Sequence, residues 1–405
     1  MNLGVVGVGR GGCALADALV ADDADRDAEY VGEAVAVDTD AGDLSSLTRI
    51  DGERRHLLGA VHAGGEGTDG DVDLAAEIAR EERAELRAAV DALPVGRVDA
   101  TLVAVALGGG TGAGVAPAVA DLLGQQTGAP TYAVGVLPGT EERDDDDAAA
   151  GDSPNRGRRG AGASGVSDAD RETEPGDADA PDRPLESNAA AAARALSAAC
   201  DDLLPADLDV WRRSGAPYAD ARDRLDAELA TRLGELFAAG EAADPVPERL
   251  LDASELTNTF GAGGVSAVGS AGTAVENGRR EGVVGGLLDR VAGADGPDVN
   301  EGEAVSVATN TARKAVTHRL SLPCDTAGAA RAVVVFHGPP AWLSRRGLER
   351  ARTLVEEETG VPEIRWGDLP DPRAEAFRVT VLLTGVGDSD RLAALEKSAD
   401  PTRLG

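Results

Sequence analysis

Residues Leu107 to Pro117, read as Leu-Gly-Gly-Gly-Thr-Gly-Ala-Gly-Val-Ala-Pro, carry the chemistry of backbone anion binding. Glycine has no Cβ, so several N–H groups can close around one anion, and a helix starting on the turn sets its positive end behind them. Thr111 adds a hydroxyl. No lysine follows the turn, which excludes the G-x-x-x-x-G-K-[ST] loop. A second turn, Gly7-Val8-Gly9-Arg10-Gly11-Gly12, fits G-x-G-x-x-G ahead of a helix starting near Cys13. A third group is the acid pair Asp252 and Glu255, within Leu250 to Leu256. Two carboxylates at that spacing could orient water or hold a cation that does so. The same spacing also describes a helix cap, Asp252, followed by a first-turn acid.

These groups need elements to hold them. Leu3 to Gly9, a strand ending at Asp38, Asp99 to Ala106 and Pro130 to Leu137 read as buried strands. Asp73 to Leu93 and Val115 to Leu123 read as helices, and the alternation predicts a parallel sheet in an α/β fold. Arg143 to Glu186 breaks the pattern: it holds Asp144-Asp145-Asp146-Asp147 and almost no large apolar side chains. Such a segment buries too little surface to offset its ordering entropy, so a disordered insertion is expected, with order returning at Asn188. In Tyr218 to Gly240, Tyr218, Leu225, Leu229, Leu233, Leu236 and Phe237 form one apolar stripe at helical spacing. This helix is expected to join two domains. Beyond it, helices at Thr309 to Leu320 and Ala341 to Gly360, with strands at Arg331 to Phe336 and Arg378 to Thr384, outline a second α/β unit. The expected division is a nucleotide-binding domain over 1–217, a central helix over 218–240, a second domain over 241–390 with an acidic loop at 250–256, and a tail over 391–405.

The 405 residues suffice for two domains with substantial cores. The net charge of −33 is carried against basic residues that are almost all arginine, only Lys314 and Lys397 being lysine. Such repulsion is tolerable where salt screens it, so the charge reports the cytoplasm of a salt-accumulating halophile. It argues against nucleic-acid binding, which needs a basic footprint. No apolar run is long enough to span a bilayer, and no signal peptide is expected. Cys13, Cys200 and Cys324 lack metal or disulfide spacing, and the four histidines show no ligand pattern.

The order of these pieces resembles the tubulin/FtsZ superfamily, and within it CetZ, the tubulin-like cell-shape proteins of haloarchaea. The segments that carry the resemblance are Gly108 to Gly114, Leu137-Pro138-Gly139, Leu233 to Glu241, Asp252-Ala253-Ser254-Glu255, Leu320 to Cys324 and Gly338-Pro339-Pro340. The resemblance implies a Rossmann-like GTPase domain joined by a long central helix to a smaller α/β domain. It implies a cytoplasmic protein that assembles head to tail with itself, and a possible association with other tubulin-like proteins. The cofactor implied is GTP or GDP, with Mg2+ or K+ as the companion cation. Gly9, Arg10, Gly11, Gly12, Cys13 and Ala14 would lie along the α- and β-phosphates. Gly108, Gly109, Gly110, Thr111, Gly112, Ala113 and Gly114 would cradle the β- and γ-phosphates. Glu142 matches a ribose-contacting carboxylate and Tyr218 the ring that stacks on guanine. Asp252 and Glu255 match the acids that act on the nucleotide of the next subunit.

Two positions depart from the family pattern. The residues expected to read guanine are Leu208, which cannot hydrogen-bond, and Arg222, which has donors only, whereas the N1–H and N2–H₂ of guanine need an acceptor. Asp207, Asp209 or Asp223 could supply it after a shift of register. These departures keep open an alternative, a regulatory partner of tubulin-like filaments with weak nucleotide turnover. A dinucleotide oxidoreductase, suggested by Gly7, Gly9, Gly12 and Asp38, has no hydride-transfer residue and leaves Gly108 to Gly114 unexplained.

Overall fold

The computed structural model describes residues 1–26, 28–94, 96–126, 128–142, 184–240, 247–275 and 299–398. The first sheet is built from β1 (Leu3–Val8), β2 (Val31–Asp38), β3 (Arg55–Leu57), β4 (Ala100–Ala106), β5 (Thr131–Leu137) and β6 (Asp202–Asp207). Its order is β3-β2-β1-β4-β5-β6, and every pair is parallel. Such a sheet is covered on both faces, which explains why β1, β4 and β5 read as continuous apolar runs. Alternate residues still face different cores. Leu3, Val5, Leu102 and Ala104 join one cluster, and Val6, Val8, Val103 and Val105 join the other.

The helices on these faces are α1 (Gly9–Arg26), α2 (Ala41–Ser46), α3 (Val72–Glu81), α4 (Arg83–Asp91), α5 (Gly110–Gln126) and α6 (Pro184–Ala199). The single helix expected over Asp73 to Leu93 is two. Glu82 leaves helical geometry at φ −96° and ψ 33°, and its carboxylate accepts from the Gly59 N–H at 2.8 Å. β6 was not expected, because acids bracket it and Pro205 interrupts it. It is the last strand of the sheet, its outer edge met by isolated bonds from Leu203 N–H to Gly264 O and Asp207 N–H to Ser321 O, so the missing N–H of Pro205 breaks no ladder.

Helix α7 (Tyr218–Ala238) runs between the two halves. Its Leu225, Leu229, Leu233 and Leu236 share one core with Leu3 and Val5 of β1 and with Val268, Val333, Val335 and Leu382 beyond it. Gly234 sits where α7 meets α1: a Cβ there would lie 2.0 Å from Asp22 Oδ2. The second sheet, β7 (Ser266–Ala274), β8 (Arg331–Gly338), β9 (Ile364–Pro370) and β10 (Ala376–Thr384), is mixed, in the order β7-β10-β8-β9. Its far face is covered by α9 (Glu301–His318) and α10 (Arg345–Thr359). Helix α9 starts earlier than the expected Thr309, capped by Asn300, which accepts from the Gly302 N–H at 2.8 Å.

Two expectations change at the margins. Residues 143–183 of the expected insertion lie outside the described residues. Its end is corrected: the chain is already helical from Pro184, and Glu186 is only 8% exposed. The expected tail contains a folded helix, α11 (Asp390–Lys397), with α8 (Ala253–Phe260) being the remaining one. Among the described residues no helix is long and apolar enough to cross a membrane.

Candidate nucleotide-binding site

Strand order reverses between β1 and β4, and in open parallel sheets the crevice beyond such a reversal is where ligands bind. Both glycine turns lie there, each at the carboxyl end of its strand and each opening a helix. Gly9, at φ +69°, begins α1, and a Cβ on it would lie 2.9 Å from Gly112 N. The two turns therefore touch. The first N–H groups of α1 and α5 have no carbonyl one turn earlier, so two positive helix ends converge on one space. That space is a pocket of about 340 Å³, within the usual range for small-molecule sites.

Of the first turn, Gly9, Arg10 and Gly11 line the pocket; Gly12, Cys13 and Ala14 do not. A Cβ on Gly12 would meet Ala104 O at 2.1 Å, so this glycine lets α1 pack on β4. The Cys13 thiol is buried and donates to Gly7 O at 3.4 Å. Of the second turn, Gly108 to Gly112 line the pocket, while Ala113 and Gly114 face away from it. A Cβ on Gly114 would meet Ala75 Cβ at 2.6 Å, a packing contact with α3. Gly110 is pressed against a loop, with Gly70 C and Asp71 N 2.7 and 2.8 Å from the position of a Cβ. Gly109 has open space instead, its nearest neighbour being Ala106 O at 3.8 Å.

Thr111 is 9% exposed, and its hydroxyl pairs with the Thr39 hydroxyl at 2.6 Å. Thr39 follows Asp38, the last residue of β2. Asp38 is 2% exposed, its Oδ1 accepts from the Thr39 N–H at 2.7 Å, and its Oδ2 has no hydrogen-bond partner. Burial pushes this carboxyl up to about 7. The 66–70 loop closes the same side, turning through positive φ at Gly67, Asp69 and Gly70. Asn188 clips this loop to the second glycine turn, donating to Gly70 O at 3.0 Å and Gly108 O at 3.1 Å. Sequence reasoning missed Thr39, the 66–70 loop and Asn188; the signal available was the glycine spacing from Gly64 to Gly70.

At the other end of the pocket stand Leu208, Arg222 and Glu142. Arg222 donates to Glu142 Oε1, and Glu142 Oε2 accepts from the Gly139 N–H at 2.8 Å. The expected ribose carboxylate and the expected base-reading residue thus form an ion pair. Tyr218 does not line the pocket and is 1% exposed. The Arg212 guanidinium lies 4.1 Å from its ring centroid, and its hydroxyl donates to Asp209 at 2.9 Å. Asp209 is further engaged by Thr140, and neither Asp209 nor Asp223 lines the pocket, so neither is placed to accept from a base there. Among the described residues six acids and two arginines line the pocket. Arg10 is itself paired with Asp43 at 2.9 Å, which leaves the N–H groups at the starts of α1 and α5 as the candidate groups for an anion.

Asp252 and Glu255 do not line this pocket. They form a capping box on α8: Asp252 Oδ1 accepts from the Glu255 N–H at 2.9 Å, and the Asp252 N–H donates to Glu255 Oε2 at 3.3 Å. Hydrogen bonds from Ser254 and Glu255 hold the Asp252 carboxyl below its usual range. The far end of α8 packs Phe260 on Tyr132, ring centroids 4.3 Å apart. Tyr132 is at the amino end of β5, whereas the glycine turns are at the carboxyl ends of their strands. Strand length, about 3.3 Å per residue, separates those two edges by roughly 20 Å.

Among the described residues no three histidine, cysteine or acidic side chains are grouped to hold a metal ion. A hard cation that shares phosphate oxygens and water needs only one or two carboxylates, and the unpartnered Asp38 Oδ2 fits that role.

Comparison with known proteins gives a consistent picture. Residues 2–151 match the model of the Tubulin/FtsZ family, GTPase domain, and residues 215–401 match that of Tubulin-like CetZ, C-terminal domain. The chain is 38% identical to Tubulin-like protein CetZ1 of Haloferax volcanii over 98% of its length and 92% of the relative. It is 36% identical to CetZ5 of the same organism, over 97% of this chain and 90% of that one. Among solved structures, the GDP-bound CetZ1 monomer superposes with a TM-score of 0.77 at 33% identity, covering all of both chains. The GTPγS-bound protofilament of CetZ2 from the same organism gives 0.76 at 29% identity, over 98% of this chain and 97% of that one.

Proposed function

Given that this chain belongs to the CetZ-type tubulin/FtsZ family, we propose that it is a cytoskeletal GTPase that assembles head to tail and hydrolyses GTP at the junction between subunits. The observation that carries this reading is the pairing of a pocket built from two touching glycine turns with an acid pair held at the opposite edge of the sheet. One subunit then has a complete binding site and an incomplete catalytic one.

In this reading the first-turn N–H groups of α1 and α5 hold the phosphates, and Thr111 donates its proton to one of them while Thr39 donates to Thr111. Such interactions need no side-chain cation and are made within the pocket, away from screening salt. A bound Mg2+ or K+ would neutralise phosphate charge, with Asp38 as its protein ligand. Leu208 packs against the purine. Arg222 offers donors to guanine O6 or N7, and the Glu142 carboxylate beside it offers the acceptor that Leu208 and Arg222 lack. Stacking on Tyr218 requires Arg212 to move from the ring.

Glu255 of the incoming subunit orients water for attack at the γ-phosphorus. The bond from that phosphorus to the bridging oxygen of GDP breaks, and phosphate leaves with the water oxygen. Phosphoryl transfer of this kind depends mostly on positioning and charge stabilisation, which a capped, pre-oriented acid pair supplies. A cytoplasmic location and a role in cell shape complete the proposal. Its test is extraction of nucleotide from the purified protein in molar KCl, followed by GTP hydrolysis assayed against protein concentration. Specific activity that rises with concentration supports it, and concentration-independent activity sinks it.

The Arg222–Glu142 pair and the Arg212 contact on Tyr218 favour a second reading, a regulatory partner that joins other tubulin-like filaments without turning GTP over. Co-sedimentation with such filaments in the absence of hydrolysis would select it.

A further inference from the structure

The last helix of the fold reaches the nucleotide pocket through one side chain. Arg391, on the first turn of α11, is 9% exposed. Its guanidinium donates to Pro138 O at 2.6 Å, lies 3.5 Å from Glu186 Oε1 and 3.8 Å from Asp207 Oδ1. These partners come from three segments far apart in sequence: the loop after β5, the first turn of α6, and the end of β6. Each is at the wall of the pocket. Pro138 lines it, Glu186 follows the lining residue Leu185, and Asp207 precedes the lining residue Leu208. Pro138 and Leu185 in turn back the second glycine turn, since a Cβ on Gly108 would meet Pro138 Cβ at 3.2 Å and Leu185 O at 3.3 Å. Ser398, just past the helix, donates to Glu186 Oε2 at 3.0 Å and closes the group.

We propose that Arg391 is a positioning residue for nucleotide binding, a clasp by which the C-terminal helix fixes the three wall segments that carry Pro138, Leu185 and Leu208. The guanidinium suits the task because its planar fork presents a different nitrogen to the carbonyl and to each of the two carboxylates, whereas an ammonium offers a single point of charge. Removing it takes away the donor to Pro138 O and the cation shared by two buried acids, and the segments bearing them are then held less firmly. Arg391 touches no reacting atom, so the clasp acts on ground-state binding and not on the bond-breaking step. This inference rests on the nucleotide reading of the pocket given above.

The test measures GDP affinity by calorimetry, and GTP turnover at saturating GTP, on the full chain in molar KCl. Arg391→Met should weaken GDP binding at least tenfold and raise the KM for GTP to match, with saturated turnover within twofold of wild type. Leu395→Ala serves as control. Leu395 is buried on the same helix, in the apolar cluster that includes Ala189 and Leu196 of α6, but its side chain offers neither hydrogen bond nor charge to Pro138, Glu186 or Asp207. It should lower the melting temperature and leave the GDP Kd within twofold. Should Arg391→Met fail to fold, Arg391→Lys replaces it, with at least threefold weaker binding expected. Unchanged GDP affinity in the Arg391 variant, or equal weakening by Leu395→Ala, overturns the clasp. A wild-type protein that binds no guanine nucleotide overturns the nucleotide reading itself, and this inference with it.

Discussion

Replacing Gly109 and Gly110 separately by alanine distinguishes a turn that binds from a turn that merely packs. At Gly110 the new Cβ would lie 2.5 Å from Thr68 Oγ1, 2.7 Å from Gly70 C and 2.8 Å from Asp71 N. Two of these are backbone atoms, so the 66–70 loop must move, and overpacking of this kind costs about 1–3 kcal/mol. Loss of binding in Gly110→Ala would therefore be ambiguous. Gly109 removes the ambiguity. Its Cβ would meet only Ala106 O at 3.8 Å, an ordinary contact, and the residue does not adopt a positive φ. The empty protein should tolerate Gly109→Ala, with a stability change within about 0.5 kcal/mol. The space the methyl enters is pocket. A phosphate oxygen kept from one backbone N–H loses a charge-assisted hydrogen bond, about 1.5–3 kcal/mol, which corresponds to roughly a 10- to 150-fold higher GDP Kd. Calorimetric titration gives the Kd and scanning calorimetry the melting temperature. GDP binding at wild-type strength in Gly109→Ala would refute the claim that this turn faces phosphate.

Glu255→Ala should keep GTP affinity, lose turnover by more than about tenfold and leave polymers that persist, as followed by light scattering; mixing it with Gly109→Ala should restore some hydrolysis if the site is shared. Arg212→Ala removes the guanidinium that lies 4.1 Å from the Tyr218 ring centroid, so GDP should bind more tightly by a few-fold, and an unchanged Kd would show that the base does not use that ring. Burial raises the Asp38 carboxyl from its ordinary value to about 7, so the folded state holds a proton that the unfolded chain releases. Its contribution therefore destabilises the nucleotide-free protein progressively from about pH 4 to about pH 7 and is constant above that. Asp38→Asn should show a smaller fall in melting temperature across that window than wild type.

The sequence conveyed the first sheet better than the second half of the pocket, for physical reasons. β1, β4 and β5 are buried on both faces, so their apolar runs are unbroken and the glycines that end them stand out. Helix α9 was placed too late because its buried stripe is Ala304, Ala308, Ala312 and Ala315, side chains too small to register as an amphipathic face. Which glycines serve binding was not legible. Gly12 and Gly109 look alike in sequence, yet one clears a path for Ala104 O and the other borders open space. The residues that brace the pocket from behind, Asn188 and Arg391, sit in stretches whose composition says insertion boundary and tail. Their roles arise only when the chain brings Gly70, Gly108 and Pro138 together.

The same chain shows why an acidic protein would bind an anion through backbone. With a net charge of −33, any side-chain cation near the pocket has a carboxylate within reach, and both pocket arginines are so paired. Surface charges separated by more than a few ångströms are also screened in concentrated salt. Peptide dipoles escape both problems. They are neutral overall, cannot be captured by a stray acid in the way a guanidinium can, and act at hydrogen-bond distance where screening is ineffective. Two helix ends meeting at Gly9 and Gly112 concentrate such dipoles without adding a net charge. The arginines are then free for another use. Arg222 fixes Glu142 at one end of the pocket, and Arg391 binds together the segments behind it. On the proposed reading of the pocket, charge holds the walls in place and uncharged backbone performs the recognition.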